Sequence, residues 1–374
     1  MCRTGPRADT GCVWQERALR VGREIAGLAS SGCPVSELHS SAIALIDSTV
    51  HAELACFAAI DPETLVISGM TSGADTIPSG YERLLAHAEY SAPEPHRFAA
   101  LASEGRAMAS LSELDRHDRM RSLRYTTVWH PLGLEREIRM LFTADGACWG
   151  AAGLVRSGPD FTDRETEFLL AIGPVLGSAT RLAIRAEATA PVHGRPAIVV
   201  LDHDGGLVSA TAGAQEWRDR IDAIAPDRFL TMMRAVVFGA ASARTGEFRA
   251  LLRDGDARWA SVHASVLRGG SEPQVAVSIE PASGERLLGL LLAGYGLSPR
   301  ERDVCREVLA GRSTAEVAER LFISANTVQD HLKSVFAKVG VRSRIELVAR
   351  LHSVGSAEAE QPPSVTPDQH RHSR

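Results

Sequence analysis

The chain has 374 residues, of which 44% are apolar and 23% charged, and its formal net charge is −5. These are the proportions of a soluble globular protein long enough for two or three domains. No uninterrupted apolar run approaches the roughly 18–20 residues a bilayer span requires. The opening Met-Cys-Arg-Thr-Gly-Pro-Arg leads into no apolar core, so neither a membrane segment nor a signal peptide is expected.

Six cysteines (Cys2, Cys12, Cys33, Cys56, Cys148 and Cys305) are scattered without a Cys-x-x-Cys pair. That spacing reads as reduced thiols in a cytoplasmic protein rather than a disulfide framework. The thirteen histidines form no His-x-x-x-His set, and no metal or cofactor is expected.

Taken in order, residues 1–12 read as disordered and 14–29 as a helix carrying Leu19, Ile25 and Leu28, which together make 1–34 an N-terminal segment. A second helix is expected over 35–50. The period then changes to that of strands over 54–60 and 65–70, joined by the turn sequence Asp61-Pro-Glu-Thr64. A helix over 81–89 follows. Residues 91–134, rich in Pro, His and Arg, show no clear period. Strands over 137–143 and 148–156 flank Ala144-Asp-Gly-Ala147 as a hairpin. Thr162 and Glu165 have capping-box spacing. The helix they open, 163–187, buries Phe168, Leu169, Ile172, Val175, Leu176, Leu182 and Ile184, with a kink expected at Gly173-Pro174. The order of helix, two strands, mixed segment, two strands and long final helix over 35–187 resembles a GAF domain. The nearest local likeness is Gly150-Ala-Ala-Gly-Leu-Val-Arg156 followed by Phe161-Thr162, Glu165 and Leu169. No ligand-binding residue carries over from it. Cys148 and His130 fit no tetrapyrrole-attachment pattern.

Residues 188–196 read as a linker. Strands are expected over 197–201, 207–210, 247–253, 257–267 and 274–279, with helices over 214–221 and 229–239 and a hairpin signal at Asp254-Gly255. Two strands, helices and three strands over 197–280 resemble a PAS domain, chiefly through Val200-Leu-Asp-His-Asp-Gly205, Trp217, Trp259-Ala-Ser-Val-His263 and Val275-Ala-Val-Ser-Ile279. Trp217 and Trp259 read as core aromatics in preference to ligand contacts. The connector 285–296 carries Leu287, Leu288, Leu290, Leu291 and Leu292. That is too many leucines for one helix face, so it packs on a domain or on its twin in a dimer.

Residues 297–352 hold four helix starts. Ser298/Glu301, Ser313/Glu316 and Ser343/Glu346 are spaced as capping boxes, and Ser324 is a simple N-cap. Pro299 stands at a first helical position, and Gly311 and Gly340 where helix C-termini need positive φ. Only Phe322-Ile323-Ser324 separates the second helix from the third, which is helix-turn-helix spacing. Val328, Leu332, Val335, Phe336 and Val339 repeat on the buried side of the third helix, leaving Asn326, Gln329, Asp330, Lys333 and Lys338 on the other. This segment carries a formal charge of +3 and the 296 residues before it −7. The positive balance therefore sits where phosphate attraction is needed. Gln329, Asp330 and Lys333 are the base-edge candidates. Asn326, Thr327, His331, Lys338, Arg342 and Arg344 are the backbone-contact candidates, with a protein-binding helical module as the plainer alternative.

The residues Leu297-Ser-Pro-Arg-Glu-Arg302, Gly311-Arg-Ser313, Glu316-Val-Ala318, Leu321, Ile323-Ser324, Thr327-Val328, His331, Lys338-Val-Gly-Val341 and Arg344 resemble the LuxR-type helix-turn-helix of bacterial transcription regulators. That family usually has Lys or Arg after Thr-Val, and here Gln329 stands there. Gln retains the means to pair with adenine. The resemblance implies that the fourth helix pairs two DNA-binding domains, through Ile345, Val348 and Leu351.

The expected fold class is thus multidomain α+β, with GAF-like and PAS-like α/β sensor domains before an all-α four-helix DNA-binding domain and a disordered tail over 353–374. The expected function is one-component transcription regulation. Its partners would be double-stranded DNA, a second copy on DNA, RNA polymerase and an unknown small-molecule or protein effector, with no membrane. The alternatives are an acyl-homoserine-lactone quorum regulator, a phosphorylation-controlled response regulator and an enzyme with an incidental helical C-terminus. The chain shows no Gly-rich phosphate loop, Gly-x-Ser-x-Gly or His-Glu-x-x-His.

Overall fold

Ala18, Val21, Ile25 and Ala29 fall three or four residues apart and give α1 (Asp9–Ser30) one apolar face. That face joins Leu169, Ile172 and Leu176 of the capped helix α6 (Asp163–Glu187) in one core. The computed structural model describes residues 9–355 other than 74–76, 79, 91–92, 190–194, 224–226, 255–257 and 270–272, with side chains from Trp14 to Leu351. Two expectations change at the N-terminus. Residues 9–12 are helical, and α1 belongs to the first module rather than preceding it.

The first module is a five-stranded antiparallel sheet of β1 (Leu54–Ile60), β2 (Ile67–Ser72), β3 (Met108–Ser110), β4 (Arg136–Ala144) and β5 (Ala147–Arg156), in the order β2-β1-β5-β4-β3. Strand alternation divides its residues between two faces. Phe57, Ile138, Met140, Phe142 and Trp149 meet α1, α2 (Val35–Asp47) and α6. The opposite face carries Glu137 and Arg139 of β4 and Leu141, Cys148 and Val155, under α3 (Tyr81–Tyr90) and α4 (Phe98–Ser103). The β4–β5 turn is tighter than the sequence signal, with only Asp145 and Gly146 between the strands, at φ of 51° and 75°. This is the left-handed pair a two-residue hairpin demands. A single helix runs through Pro174. A Cβ at Gly177 would collide with the Thr143 backbone, so its glycine lets α6 lie close on β4. By length and composition α6 resembles a membrane span, but its apolar residues are the core of this module.

The segment without sequence period contains α4, β3, the short helix α5 (Arg116–Arg121) and a π-helical turn at Tyr125–Trp129. Pieces this short carry too few apolar repeats to show a pattern. Buried ion pairs hold them. Arg124 donates Nε to both oxygens of Glu137 at 3.0 and 2.9 Å and Nη1 to Glu94 at 3.1 Å.

The second module repeats the sheet order with β6 (Ala197–Asp202), β7 (Leu207–Ala210), β8 (Glu247–Arg253), β9 (Trp259–Leu267) and β10 (Gln274–Pro281), arranged β7-β6-β10-β9-β8. Helices α7 (Ala212–Asp222) and α8 (Arg228–Ser242) cover one face. Trp217 and Trp259 are fully buried, as core aromatics are. The Trp217 Nε1–H donates to Arg195 O at 3.0 Å, and Trp259 packs into the core of the first module. The modules are also locked by Arg253 Nε facing Glu187 Oε2 at 2.9 Å and by Arg228 donating to Met70 O at 2.8 Å. Part of the 188–196 linker and the 255–257 hairpin tip lie outside the described residues.

The leucine connector forms α9 (Gly284–Gly294) and serves both neighbours. Leu287 and Leu290 enter the first module's core, while Leu291 and Leu292 enter the core of the C-terminal helices. Those helices are α10 (Pro299–Leu309), α11 (Thr314–Leu321), α12 (Ala325–Val339) and α13 (Arg344–Gly355). Residues 353–355 therefore belong to α13 and not to a tail, and 356–374, like 1–8, lie outside the described residues.

Candidate nucleic-acid interface

The helix-turn-helix is set by local chemistry. Ser313 and Glu316 close a full capping box on α11, and Ser298 and Glu301 close one on α10. Helix α11 stops at Phe322, which is left-handed (φ 54°, ψ 45°) while Ile323 N–H returns to Ala318 O at 3.0 Å. Ser324 Oγ then accepts from Thr327 N–H at 3.1 Å and starts α12. Ile323 packs against the core between the helices. Gly340, at φ 75°, ends α12.

Val328, Leu332, Val335 and Val339 hold α12 in the domain. Its outer face then presents Asn326, Thr327, Gln329, Asp330 and Lys333 to solvent, with His331 half-buried beside them. The three base-edge candidates thus share one exposed face. Lys333 Nζ lies 3.1 Å from Asp330 Oδ1, and both side chains are three-quarters exposed. The pair costs little to open.

The expected backbone contacts divide. Thr327 and Arg342 are exposed. Lys338, also exposed, donates to Glu301 at 2.7 Å, and the half-buried Arg344 donates to the carbonyls of Val308 and Arg312. Both cations brace the domain, because each meets oxygens that folding would otherwise strand. Glu301 also accepts from Ser334 at 2.6 Å. Burial disfavours its charge, but the bonds from Lys338, Ser334 and Ser298 outweigh this and hold its carboxyl at about 2. The Ser343 box closes only in part. Ser343 Oγ caps Glu346 N–H, while the Glu346 carboxylate takes the Arg342 N–H at 2.8 Å.

Leu351 needs correcting as a dimerisation residue. It is 3% exposed and lies in the domain's own core with Leu347, because a turn of α13 faces α9 and α10. Ile345, 82% exposed, and the half-buried Val348 remain outward. In the sequence Phe322 is only part of the turn, yet it is 93% exposed beside the start of α12. Its position between Leu321 and Ile323 gives no hint of this, since the outcome depends on one left-handed residue.

Bacterial regulatory proteins of the luxR family match residues 296–351. The spore germination protein GerE of Bacillus subtilis is 37% identical over 62 residues, which is 84% of that protein and 17% of this chain. The chain belongs to the luxR family. An HTH-type transcriptional regulator of Mycobacterium tuberculosis is 50% identical over 64 residues, but these amount to only 7% of its length. A solved Vibrio cholerae VqmA dimer, a LuxR-type receptor, is matched over 43% of this chain and 83% of its own at 14% identity and a TM-score of 0.19. Within the luxR-family domain, Gln329 occupies the place after Thr327-Val328 on the exposed face. The 295 residues before the match are outside it.

Proposed function

We propose that the whole chain is a one-component transcription regulator, acting in the cytoplasm rather than as an enzyme, whose two N-terminal sheet modules receive a signal and whose luxR-family domain binds operator DNA as a dimer. The observation that carries this reading is the division of α9, whose leucines belong to the sensor-side core on one face and to the DNA-binding core on the other. A rearrangement in the first module must therefore be felt at α10 and α13. The element order of the modules supports the GAF-like and PAS-like readings, with β3 an addition to the first. RNA polymerase is a further partner of such a regulator.

Selection of genomic DNA fragments with the full chain tests this. An enriched inverted repeat, bound with an affinity that falls steeply as salt rises, is the expected result. Lys333→Ala should cost ~1–3 kcal/mol on that repeat and relax base preference. No enriched motif and a flat salt response would remove the reading.

A further inference from the structure

Two volumes meet between the modules. The inner one, of about 140 Å³, is bounded by Ala58, Ile67 and Val155 of the first sheet, by α3 and by Met232 and Ala235 of α8. The outer one, of about 900 Å³, reaches Ser36 of α2 and Arg83 of α3. Met70, Ile77, Glu82, Arg228 and Thr231 border both, so one opens into the other. An apolar cavity of about 150 Å³ accepts a benzene-sized guest. Arg228, Met232 and Ala235 follow one another at intervals of four and three residues, which puts them on one stripe of α8. Seven residues of helix rise about 10 Å, so a cation and the apolar end of the cavity stand about that far apart.

Arg228 is the group that calls for a guest. It is 6% exposed, and its Nη1 donates to Met70 O at 2.8 Å. That carbonyl carries no charge, and no carboxylate pairs with the guanidinium among the described residues. Its Nε and Nη2 make no hydrogen bond among the described residues and are not sealed off as the Trp129 and Arg139 Nε donors are. Arginine this deeply buried is almost always paired. The open Nε/Nη2 edge has the fork geometry that a carboxylate fits. The remaining charges set the guest's charge at one. Glu89 and Glu137 are engaged by Arg139 and Arg124. Glu82 accepts from Thr231 Oγ1 at 3.4 Å and is half-buried, so water shares in its solvation. Thr231 is one turn of α8 from Arg228, and Glu82 beside it repels a second negative charge. Around the outer volume Arg83, Arg228 and Arg234 stand against Glu82 and Asp227, which leaves a single positive charge in excess among the described residues.

We propose that Arg228 binds the carboxylate of a small monocarboxylic acid whose apolar body, about one ring in size, fills the inner volume. Both modules hold the acid, since Arg228, Met232 and Ala235 come from the second and β1, β5 and α3 from the first. That the acid serves as the signal rests on the regulator reading above, whereas its binding does not.

The probes are phenylacetate, phenylacetamide, acetate and phenylmalonate, titrated into the full chain by thermal shift and ligand-observed NMR. Phenylacetate should bind on the order of tenfold tighter than phenylacetamide, which lacks the charge, and than acetate, which lacks the ring. Phenylmalonate, with its second carboxylate, should bind more weakly than phenylacetate, and Glu82→Gln should narrow that gap. Arg228→Met should retain phenylacetamide and bring the preference for phenylacetate towards one. Ala235→Phe should abolish phenylacetate binding, with Ala86→Leu filling the inner volume from α3 if the first variant does not fold. Absence of phenylacetate binding, phenylacetamide or acetate binding as well as phenylacetate, a preference that survives Arg228→Met, or affinity undiminished in the filled variants would overturn the proposal. Operator affinity measured in the same samples separates the two claims. Phenylacetate binding with unchanged operator affinity sinks the signal role alone, and unbound phenylacetate in a chain that still selects an operator sinks the acid site alone.

Discussion

At Glu301 one carboxylate closes the first turn of α10, accepts from Ser334 on α12 and receives the Lys338 ammonium. The side chain is thereby the joint between the first helix of the DNA-binding domain and the second helix of its helix-turn-helix. Its carboxyl sits at about 2 against an ordinary 4.5. A carboxyl depressed by folding stabilises the native state fully above its unfolded value, and that contribution is lost as pH falls from 4.5 towards 2. Glu301→Gln should therefore cost roughly 2–3 kcal/mol at neutral pH and flatten the stability profile below pH 4.5. Denaturant unfolding of both proteins at a series of pH values checks this, and parallel acid limbs would refute it. The capping half of this role was legible from Ser298-Pro-Arg-Glu301. The bond to Lys338 was not, because nothing local says which of several cations a buried carboxylate will draw in across 37 positions.

Helix α13 illustrates how an element assigns its faces. Ile345, Val348 and Leu351 are spaced to give the helix both a core side and an exposed apolar side, and the family resemblance marks all three for pairing. The structure assigns the two sides. Leu347 and Leu351 face the core shared with α9, leaving Ile345 outward and Val348 at the boundary. Spacing gives the angle between side chains but not the direction in which the helix is turned, and here α9 decides it. Leu351→Ala should lower stability by ~2–4 kcal/mol, as core truncations do. Ile345→Lys should stay within about 0.5 kcal/mol of the parent and weaken binding to paired half-sites while leaving a single half-site unaffected. Loss of single half-site affinity in the folded Ile345→Lys protein would show that Ile345 is not at the pairing face.

At the scale of the whole molecule, two kinds of contact hold the DNA-binding domain on the body. Arg302 and Arg306 reach Glu63 in the β1–β2 turn at 3.3 and 3.7 Å, with 44% of the Glu63 side chain exposed. Half-exposed pairs of this kind contribute about 0–1 kcal/mol. Leu287 and Leu290 of α9 are fully enclosed in the first module, and each such truncation costs about 2–5 kcal/mol. Apolar docking through α9 thus outweighs the ion pairs. Leu290→Ala should destabilise the full chain clearly in guanidinium unfolding, and Glu63→Lys should cost under about 1 kcal/mol. The reverse ranking would make the docking electrostatic. Charge also reads differently at this scale. The +3 balance of 297–352 counts cations that the fold has already engaged, among them Arg302, Arg306, Lys338 and Arg344.

Sequence alone determined the four C-terminal helices, their caps and the exposed side of α12, because each depends on residues within about two turns of one another, where backbone geometry leaves few choices. The hairpins and the element order of the second sheet module were legible for the same reason, whereas α4, β3 and α5 of the first were too short to show a period. Tertiary structure alone decided that α1 joins the first module, that Lys338 bonds Glu301 and Arg344 the carbonyls of Val308 and Arg312, and that Leu351 is core. Each of those outcomes is a contact between distant parts of the chain, such as Glu301 and Lys338, 37 positions apart. Such a contact depends on how whole elements pack, which no local pattern specifies.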